Sequence, residues 1–301
     1  MGRPRLGIDL GGTKIEGIRL EADGSISERR RVPTPAGDYA ATIDAIADVV
    51  AALEQEGESL RVGIGTPGAI SPATGLIKNA NSTALNGHPL KEDLEARLGR
   101  EVRLANDANC FALSEAVDGA AKEGRIVFGV IMGTGVGGGL VVDRRTVIGA
   151  NAIAGEWGHN PLVCDSVEGL DAPACYCGRH GCVESWLSGP AFARGHQARG
   201  GAEQDGKAIA AAAATGDTLA QESLELHARR LASALAMVIN IFDPHVIVLG
   251  GGLSNIDFWY RRVPEIWGDR IFSDHVATKL VAPHHGDAGG TRGAAWLWGA
   301  E

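Results

Sequence analysis

Residues 6–20, LGIDLGGTKIEGIRL, consist of two apolar runs separated by a Gly-Gly-Thr turn. This pattern predicts a β-hairpin. A similar stretch, residues 128–142, FGVIMGTGVGGGLVV, repeats the arrangement about 120 residues later. Each copy is followed by helical and strand patterns in alternation, which is typical of sheets covered by helices. The repeat therefore predicts an α/β protein of two similar halves.

The rest of the chain supports this division. Helical spacing covers residues 38–56, and the longest helical pattern covers 218–243. Further strands are predicted in residues 60–68, 101–107 and 245–252. Because 301 residues exceed what one hydrophobic core usually organises, we expect two domains, residues 1–120 and 121–289.

Composition narrows the class of protein. The net charge of −9 argues against binding to nucleic acid or to a membrane surface, which requires basic patches. No apolar run approaches the roughly 20 residues that cross a bilayer. The first residues lead into a strand without an apolar signal-peptide segment, so we expect a cytoplasmic protein. In the cytoplasm clustered cysteines are more often ligands than disulfides.

Three glycine-rich turns follow predicted strands. Glycine lets backbone N–H groups approach phosphate oxygens closely, and a threonine hydroxyl adds a donor. Asp9 at the end of the first strand could hold Mg²⁺. The structural alternative is that these glycines only form hairpin turns and bind no ligand. The residues expected to contact the nucleotide are Gly7, Asp9, Gly11, Gly12, Thr13, Lys14, Gly133, Thr134, Gly135, Val136, Gly137, Gly251 and Gly252.

Asp107 follows a predicted strand and begins a helix. Such a carboxylate can cap the helix, which is the structural interpretation. It can also act as a general base that accepts a proton from a substrate hydroxyl during phosphoryl transfer. Position alone favours the cap, and the neighbouring motifs favour the base.

Three of the five cysteines lie within residues 175–182, CYCGRHGC. Together with a histidine they form a Cys₃His set, which is an established structural zinc arrangement. Spacing leaves two candidates for the histidine, His159 and His180. Free thiols packed in a loop are the alternative. A thioredoxin-like role is disfavoured because the spacing is not C-x-x-C.

Together, GIDLGGTK, ANDAN, GTGVGGG, AGEWGHN and CYCGRHGCVES resemble the motifs of the ROK family (repressors, open reading frames, kinases). The most similar type is the bacterial fructokinase/mannokinase, and the likeness runs from about residue 6 to 298. It implies an actin/hexokinase-like (ribonuclease H-like) two-domain ATPase fold with a cleft between the domains. It also implies that the last segment, 290–301, returns to the first domain.

The resemblance also implies the site. Asp107 becomes the catalytic base, ATP and Mg²⁺ become cofactors, and the protein is expected to be a homodimer. The residues that would bind the sugar are Gly68, Asn81, Asn106, Asp107, Glu156, His159 and Glu184. The residues that would bind a structural zinc ion next to the sugar are His159, Cys175, Cys177 and Cys182. One ring nitrogen of His159 would bind zinc and the other a sugar hydroxyl.

The expected reaction is ATP-dependent phosphorylation of the 6-hydroxyl of fructose, with mannose as the next candidate. The alternatives are a ROK kinase for glucose or an N-acetylhexosamine, and a non-catalytic sugar sensor. Ala84 stands where related kinases often carry tryptophan, in the loop that contains Asn81. A zinc-ribbon nucleic-acid binder is disfavoured because residues 163–177 are acidic.

Overall fold

The computed structural model describes residues 3–165 and 170–299. Within them the first sheet has the strand order β3-β2-β1-β4-β7. Its strands are β1 (Arg5–Leu10), β2 (Lys14–Leu20), β3 (Ile26–Pro33), β4 (Arg61–Thr66) and β7 (Val102–Asn106). β1 is antiparallel to β2 and parallel to β4. A small ribbon of β5 (Ala69–Ile70) and β6 (Ile77–Lys78) lies between β4 and β7 in the chain.

The second sheet repeats this topology. Its order is β10-β9-β8-β11-β12, so the repeated segment again supplies the middle and the neighbouring strand. Its strands are β8 (Ile126–Met132), β9 (Val136–Val142), β10 (Arg145–Thr146), β11 (Val246–Gly250) and β12 (Lys279–Val281). β8 is parallel to β11, and β9 is antiparallel to β10. The internal repeat and the α/β class are therefore confirmed.

Nine α-helices are found in the part of the chain that the structure describes. They are α1 (Tyr39–Leu53), α2 (Leu90–Leu98), α3 (Asp107–Val117), α4 (Val183–Leu187), α5 (Gly189–Ala198), α6 (Gly206–Ala214), α7 (Thr218–Phe242), α8 (Phe258–Ile266) and α9 (Gly289–Trp296). The helices predicted at 38–56 and 218–243 are α1 and α7. In contrast, α4, α5, α6 and α8 are not among the predicted elements. The last two residues of the segment 290–301 lie outside the described residues.

The chain divides into two compact units. The first comprises Met1–Glu123, Gly139–Ala154 and His284–Glu301, and the second comprises Gly124–Gly138 and Gly155–Pro283. The expected domain bounds, residues 1–120 and 121–289, stay a prediction. None of the helices in the described ranges is long and apolar enough to cross a membrane.

Glycines allow α9 to pack closely inside the first unit. A Cβ atom at Gly7 would lie 1.9 Å from the carbonyl oxygen of Thr291, and one at Gly293 would lie 1.6 Å from that of Cys110. These distances are too short for any side chain, so α9 touches β1 and α3 by its backbone. Gly7 thus lies against α9 and not in the following turn.

Candidate active site

In the first unit, β7 leads directly into α3 at Asn106 and Asp107. Asn106 is the N-cap: its Oδ1 accepts the N–H of Ala108 at 2.9 Å. Asp107 is the first helical residue, and its Oδ1 accepts the same N–H at 2.8 Å. Desolvation by the surrounding protein raises the pKa of Asp107, and the hydrogen bonds to its carboxylate only partly oppose the rise. Asn106 therefore supplies the cap, and Asp107 is a solvent-accessible carboxylate with raised proton affinity.

The same asparagine joins two of the predicted sugar ligands. Its Nδ2 donates to the carbonyl oxygen of Gly68 at 3.1 Å. Gly68 has φ +74°, and a Cβ there would lie 2.4 Å from the carbonyl oxygen of Lys78. Only glycine meets both conditions, so this tight turn places the backbone of Gly68 beside Asn106.

Asp9 lies at the end of β1, close enough to Asp107 for their charges to interact. Burial raises its pKa to about 6, the charges of Asp107 and Glu16 add to the rise, and Lys14 lowers it. A carboxylate such as that of Asp9 is the type of ligand that Mg²⁺ prefers. The adjoining turn is closed by the N–H of Gly11, which donates to the carbonyl oxygen of Lys14 at 3.0 Å.

The loop that carries Asn81 is held by a residue that the motifs did not indicate. Asn81 is exposed. The Oδ1 of Asn86 accepts the N–H of Ala80, and its Nδ2 donates to the carbonyl oxygen of Ala80, both at 2.9 Å. A Cβ at Gly12 would lie 3.3 Å from the Oγ of Ser82, so this loop adjoins the first glycine turn. Neither Asn86 nor Ser82 belongs to a recognisable sequence motif, so their position beside the site is known only from the fold.

The second unit contains the metal-ligand cluster. The candidate ligand atoms of His159, Cys175, Cys177 and Cys182 all lie within 4.8 Å of one another. The Sγ atoms of Cys177 and Cys182 are 3.7 Å apart, and the Sγ of Cys175 is 3.5 Å from the Nδ1 of His159. Tetrahedral zinc with Zn–S of about 2.3 Å and Zn–N of about 2.0–2.1 Å requires separations of about 3.8 and 3.6 Å. The donor set therefore fits zinc.

The structure also decides between the two histidines. His180 is exposed and is bridged through its backbone to Ala174, outside the cluster. The Nδ1 of His159 faces the cysteines, whereas its Nε2 lies 3.0 Å from the hydroxyl of Tyr176. The second nitrogen, which we expected to be available for a sugar hydroxyl, thus already has a hydrogen-bond partner within the chain.

The glycine turn after β8, residues 133–137, is in contact with both neighbouring motifs. The Nε1–H of Trp157 donates to the carbonyl oxygen of Gly137 at 2.9 Å, and a Cβ at Gly158 would lie 2.1 Å from that of Val136. The carboxylate of Glu184 accepts the N–H of Val136 at 2.9 Å. Residues that are far apart in sequence therefore converge on this turn.

The remaining predicted residues lie elsewhere in the second unit. Glu156 is exposed at the start of the 3-10 turn Trp157–His159. Gly251 has φ +77°, and a Cβ there would lie 2.5 Å from the carbonyl oxygen of Met132, so this glycine packs on β8. A Cβ at Gly252 would have no atom of the described residues within 4 Å.

With this geometry in place, comparison with known proteins identifies the class. The ROK family matches residues 5–301, and the chain belongs to this family. Its actin/hexokinase-like fold, which the resemblance implied, is confirmed by solved relatives. A ROK hexokinase from Thermus thermophilus has 31% identity and a TM-score of 0.84, with 98% of this chain and 97% of that chain covered.

A second solved relative binds both a sugar and a nucleotide analogue. It is a ROK family glucokinase from Streptomyces griseus in complex with glucose and AMPPNP. It has 29% identity and a TM-score of 0.76, with 98% of both chains covered.

The curated relatives differ from the type that the motifs suggested. The N-acetyl-D-glucosamine kinase of Salmonella paratyphi B is 41% identical over 296 residues, which cover 97% of this chain and 98% of the relative. The enzyme of the same name from Vibrio cholerae serotype O1 is also 41% identical with the same coverage. The fructokinase/mannokinase type is therefore not supported, and the similarity favours the N-acetylhexosamine alternative.

Proposed function

We propose that the chain is an ATP-dependent N-acetylglucosamine kinase that phosphorylates the 6-hydroxyl of the sugar. The observation that carries the proposal is the 41% identity to N-acetyl-D-glucosamine kinases along 97% of the chain. The carboxylate of Asp107, which is accessible to solvent and has a raised pKa, supports a kinase in particular, because phosphoryl transfer needs a base close to the attacking hydroxyl. Glucose is the nearest alternative sugar, and a homodimer stays a prediction.

Asp107 accepts the proton of the 6-hydroxyl as its oxygen attacks the γ-phosphorus of ATP. The new O–P bond forms while the bond between the γ-phosphorus and the bridging oxygen breaks, and ADP leaves. Its raised pKa favours this role because a base with raised proton affinity takes the proton more readily. Most of the remaining rate enhancement comes from orienting the two substrates.

The other residues bind and orient. The side chains of Asn81, Asn106, Glu156 and Glu184 bond sugar hydroxyls, together with the backbone at Gly68. His159 would join them only by exchanging the Tyr176 hydroxyl at its Nε2 for a sugar hydroxyl. The two glycine turns, residues 11–14 and 133–137, bond phosphate oxygens through backbone N–H groups other than those of Gly11 and Gly133, which donate to carbonyl oxygens within the turns. Asp9 would hold Mg²⁺, and that ion would supply positive charge against the phosphates.

In this proposal zinc stabilises a loop and does not take part in the chemical step. His159 and the three clustered cysteines would hold it with four protein ligands, which leaves no position for substrate water. When bound, it fixes the loop between Cys175 and Cys182. Tyr176 then limits the freedom of the His159 ring, because the two side chains share a hydrogen bond.

A substrate panel tests the proposal. We expect kcat/KM in a coupled ADP-release assay to be at least about tenfold higher for N-acetylglucosamine than for glucose, N-acetylmannosamine, mannose or fructose. A preference for glucose would move the assignment to a glucokinase. Absence of ADP release with every sugar, despite sugar binding, would instead indicate a sensor.

A further inference from the structure

Glu184 is hydrogen bonded to the glycine turn that we assign to ATP phosphates. Its Oε2 accepts the N–H of Val136 at 2.9 Å, and its Oε1 lies 4.0 Å from the Sγ of Cys175. The proposed function assigns this carboxylate to a sugar hydroxyl. One side chain thus connects the metal loop with the phosphate turn.

The local structure is arranged for this contact. A Cβ at Gly135 would lie 2.6 Å from the Oε2 of Glu184, so glycine is what gives the carboxylate access to the turn. Glu184 itself stands in the first turn of α4, two residues after Cys182. The next helix begins with Gly189, whose N–H donates to the carbonyl oxygen of Gly133 at 2.8 Å. Residues 184–189 are therefore hydrogen bonded to the glycine turn 133–137 at both ends, through Glu184 and through Gly189.

The N–H of Val136 is one donor with two potential anionic acceptors. A phosphate oxygen that uses this donor must displace the carboxylate, and the two negative groups repel each other at such short range. A sugar hydroxyl that donates to Glu184 gives the carboxylate another partner. The arrangement therefore links the binding of the sugar to the binding of the nucleotide.

We propose that Glu184 is a positioning residue that occupies the Val136 N–H in place of a phosphate oxygen and releases it when a sugar binds. The inference rests on the proposed function and adds a coupling between its two substrates. The opposite possibility is that Glu184 only braces the turn. The two differ in sign: a brace makes the turn bind nucleotide better, and a competing acceptor makes it bind nucleotide less well.

Nucleotide affinity without sugar is the decisive measurement. Titration calorimetry with Mg²⁺ and AMPPNP would compare the wild type with Glu184→Ala. We expect Glu184→Ala to bind about fivefold or more tightly than the wild type, within the usual range of coupling energies. Added N-acetylglucosamine should tighten nucleotide binding to the wild type and leave that of Glu184→Ala unchanged. Equal or weaker sugar-free binding by Glu184→Ala would overturn the inference.

Two further variants separate the loss of the hydrogen bond from the loss of negative charge. Glu203→Ala removes a similar negative charge from an exposed position of the same unit and should bind AMPPNP like the wild type. Glu184→Asp keeps the charge but shortens the side chain, so it should also bind more tightly if release of the N–H matters. Zinc content and melting temperature confirm that each variant is folded.

The two proposals fail in different ways. A wild type that neither binds AMPPNP nor phosphorylates a sugar would overturn the proposed function and this inference with it. A wild type that does both, combined with an unaltered or reduced nucleotide affinity in Glu184→Ala, would overturn the coupling alone.

Discussion

At the start of α3, the capping side chain and the candidate base belong to two adjacent residues. The helix begins at Asp107, yet the capping side chain is that of Asn106. Capping by a neighbour leaves the carboxylate less committed to the helix than its position suggests. The sequence places a carboxylate at a strand-to-helix junction, but its raised pKa depends on desolvation by the folded protein around it.

Asp107→Asn should abolish most of the turnover. Loss of a general base lowers kcat by about 10²–10⁴-fold, whereas the amide is nearly the same size and should leave sugar binding almost intact. Steady-state kinetics and sugar titration would measure both effects. Near-normal kcat would remove Asp107 from the mechanism.

The pH profile provides a control for the same assignment. The base must be ionised, so kcat/KM of the wild type should fall as the pH drops through the raised pKa of Asp107. The fall should begin above the pH expected for an ordinary aspartate, whose pKa is about 3.9. The residual activity of Asp107→Asn should lack this dependence on Asp107.

At the scale of elements, the metal loop is built from tight turns. Gly178 and Gly181 have φ values of +85° and +71°, which favour glycine, and the N–H of Cys175 donates to the carbonyl oxygen of Arg179 at 2.8 Å. The loop leads directly into α4, where Glu184 lies. We therefore propose that a zinc ion in this loop would fix the position of a proposed sugar ligand as well as stabilise the loop.

Cys175→Ser should remove zinc and weaken sugar binding. Zinc content by elemental analysis should fall from one ion per chain to near zero, with an increase in the KM for sugar and a lower melting temperature. Chelation of the wild type should have the same effects. Cys164→Ser is the matched control, because Cys164 is buried in the same unit outside the cluster.

A lower melting temperature with an unchanged KM would contradict the proposed link to the sugar. Zinc would then stabilise the loop without affecting how the sugar is held.

At the scale of the first unit, the last helix is fastened to α3 by charged groups. Asp118 follows α3 and accepts hydrogen bonds from Arg292 at 2.9 Å and from the ring nitrogen of Trp296 at 3.2 Å. His285 lies 2.9 Å from the same carboxylate. Burial would raise the pKa of Asp118, but the bonds from His285 and Arg292 outweigh it and lower the pKa to about 2.

Asp118→Asn should weaken the fold and flatten its acid dependence. The folded pKa lies below the unfolded value of 3.8, so this stabilisation is present above pH 4 and is lost as the pH falls toward 2. We expect a loss of about 1–2 kcal/mol at pH 7, measured by urea unfolding. The difference between variant and wild type should shrink as the pH approaches 3.

Asp44→Asn serves as the control for that experiment. Asp44 pairs with Arg97 at an exposed position, where such a pair contributes little. A loss for Asp118→Asn no larger than for Asp44→Asn would show that the Asp118 cluster does not fasten α9.

The sequence by itself determined the internal repeat, the α/β class, the family motifs and the residue types of the Cys₃His cluster. These follow from local patterns: apolar alternation, glycine turns and cysteine spacing. Only the tertiary structure decided that His159 and not His180 joins the cysteines, that Tyr176 bonds its second nitrogen, and that Glu184 reaches Val136. Those contacts join residues up to 48 positions apart, and their distances depend on how loops pack, which no local spacing encodes.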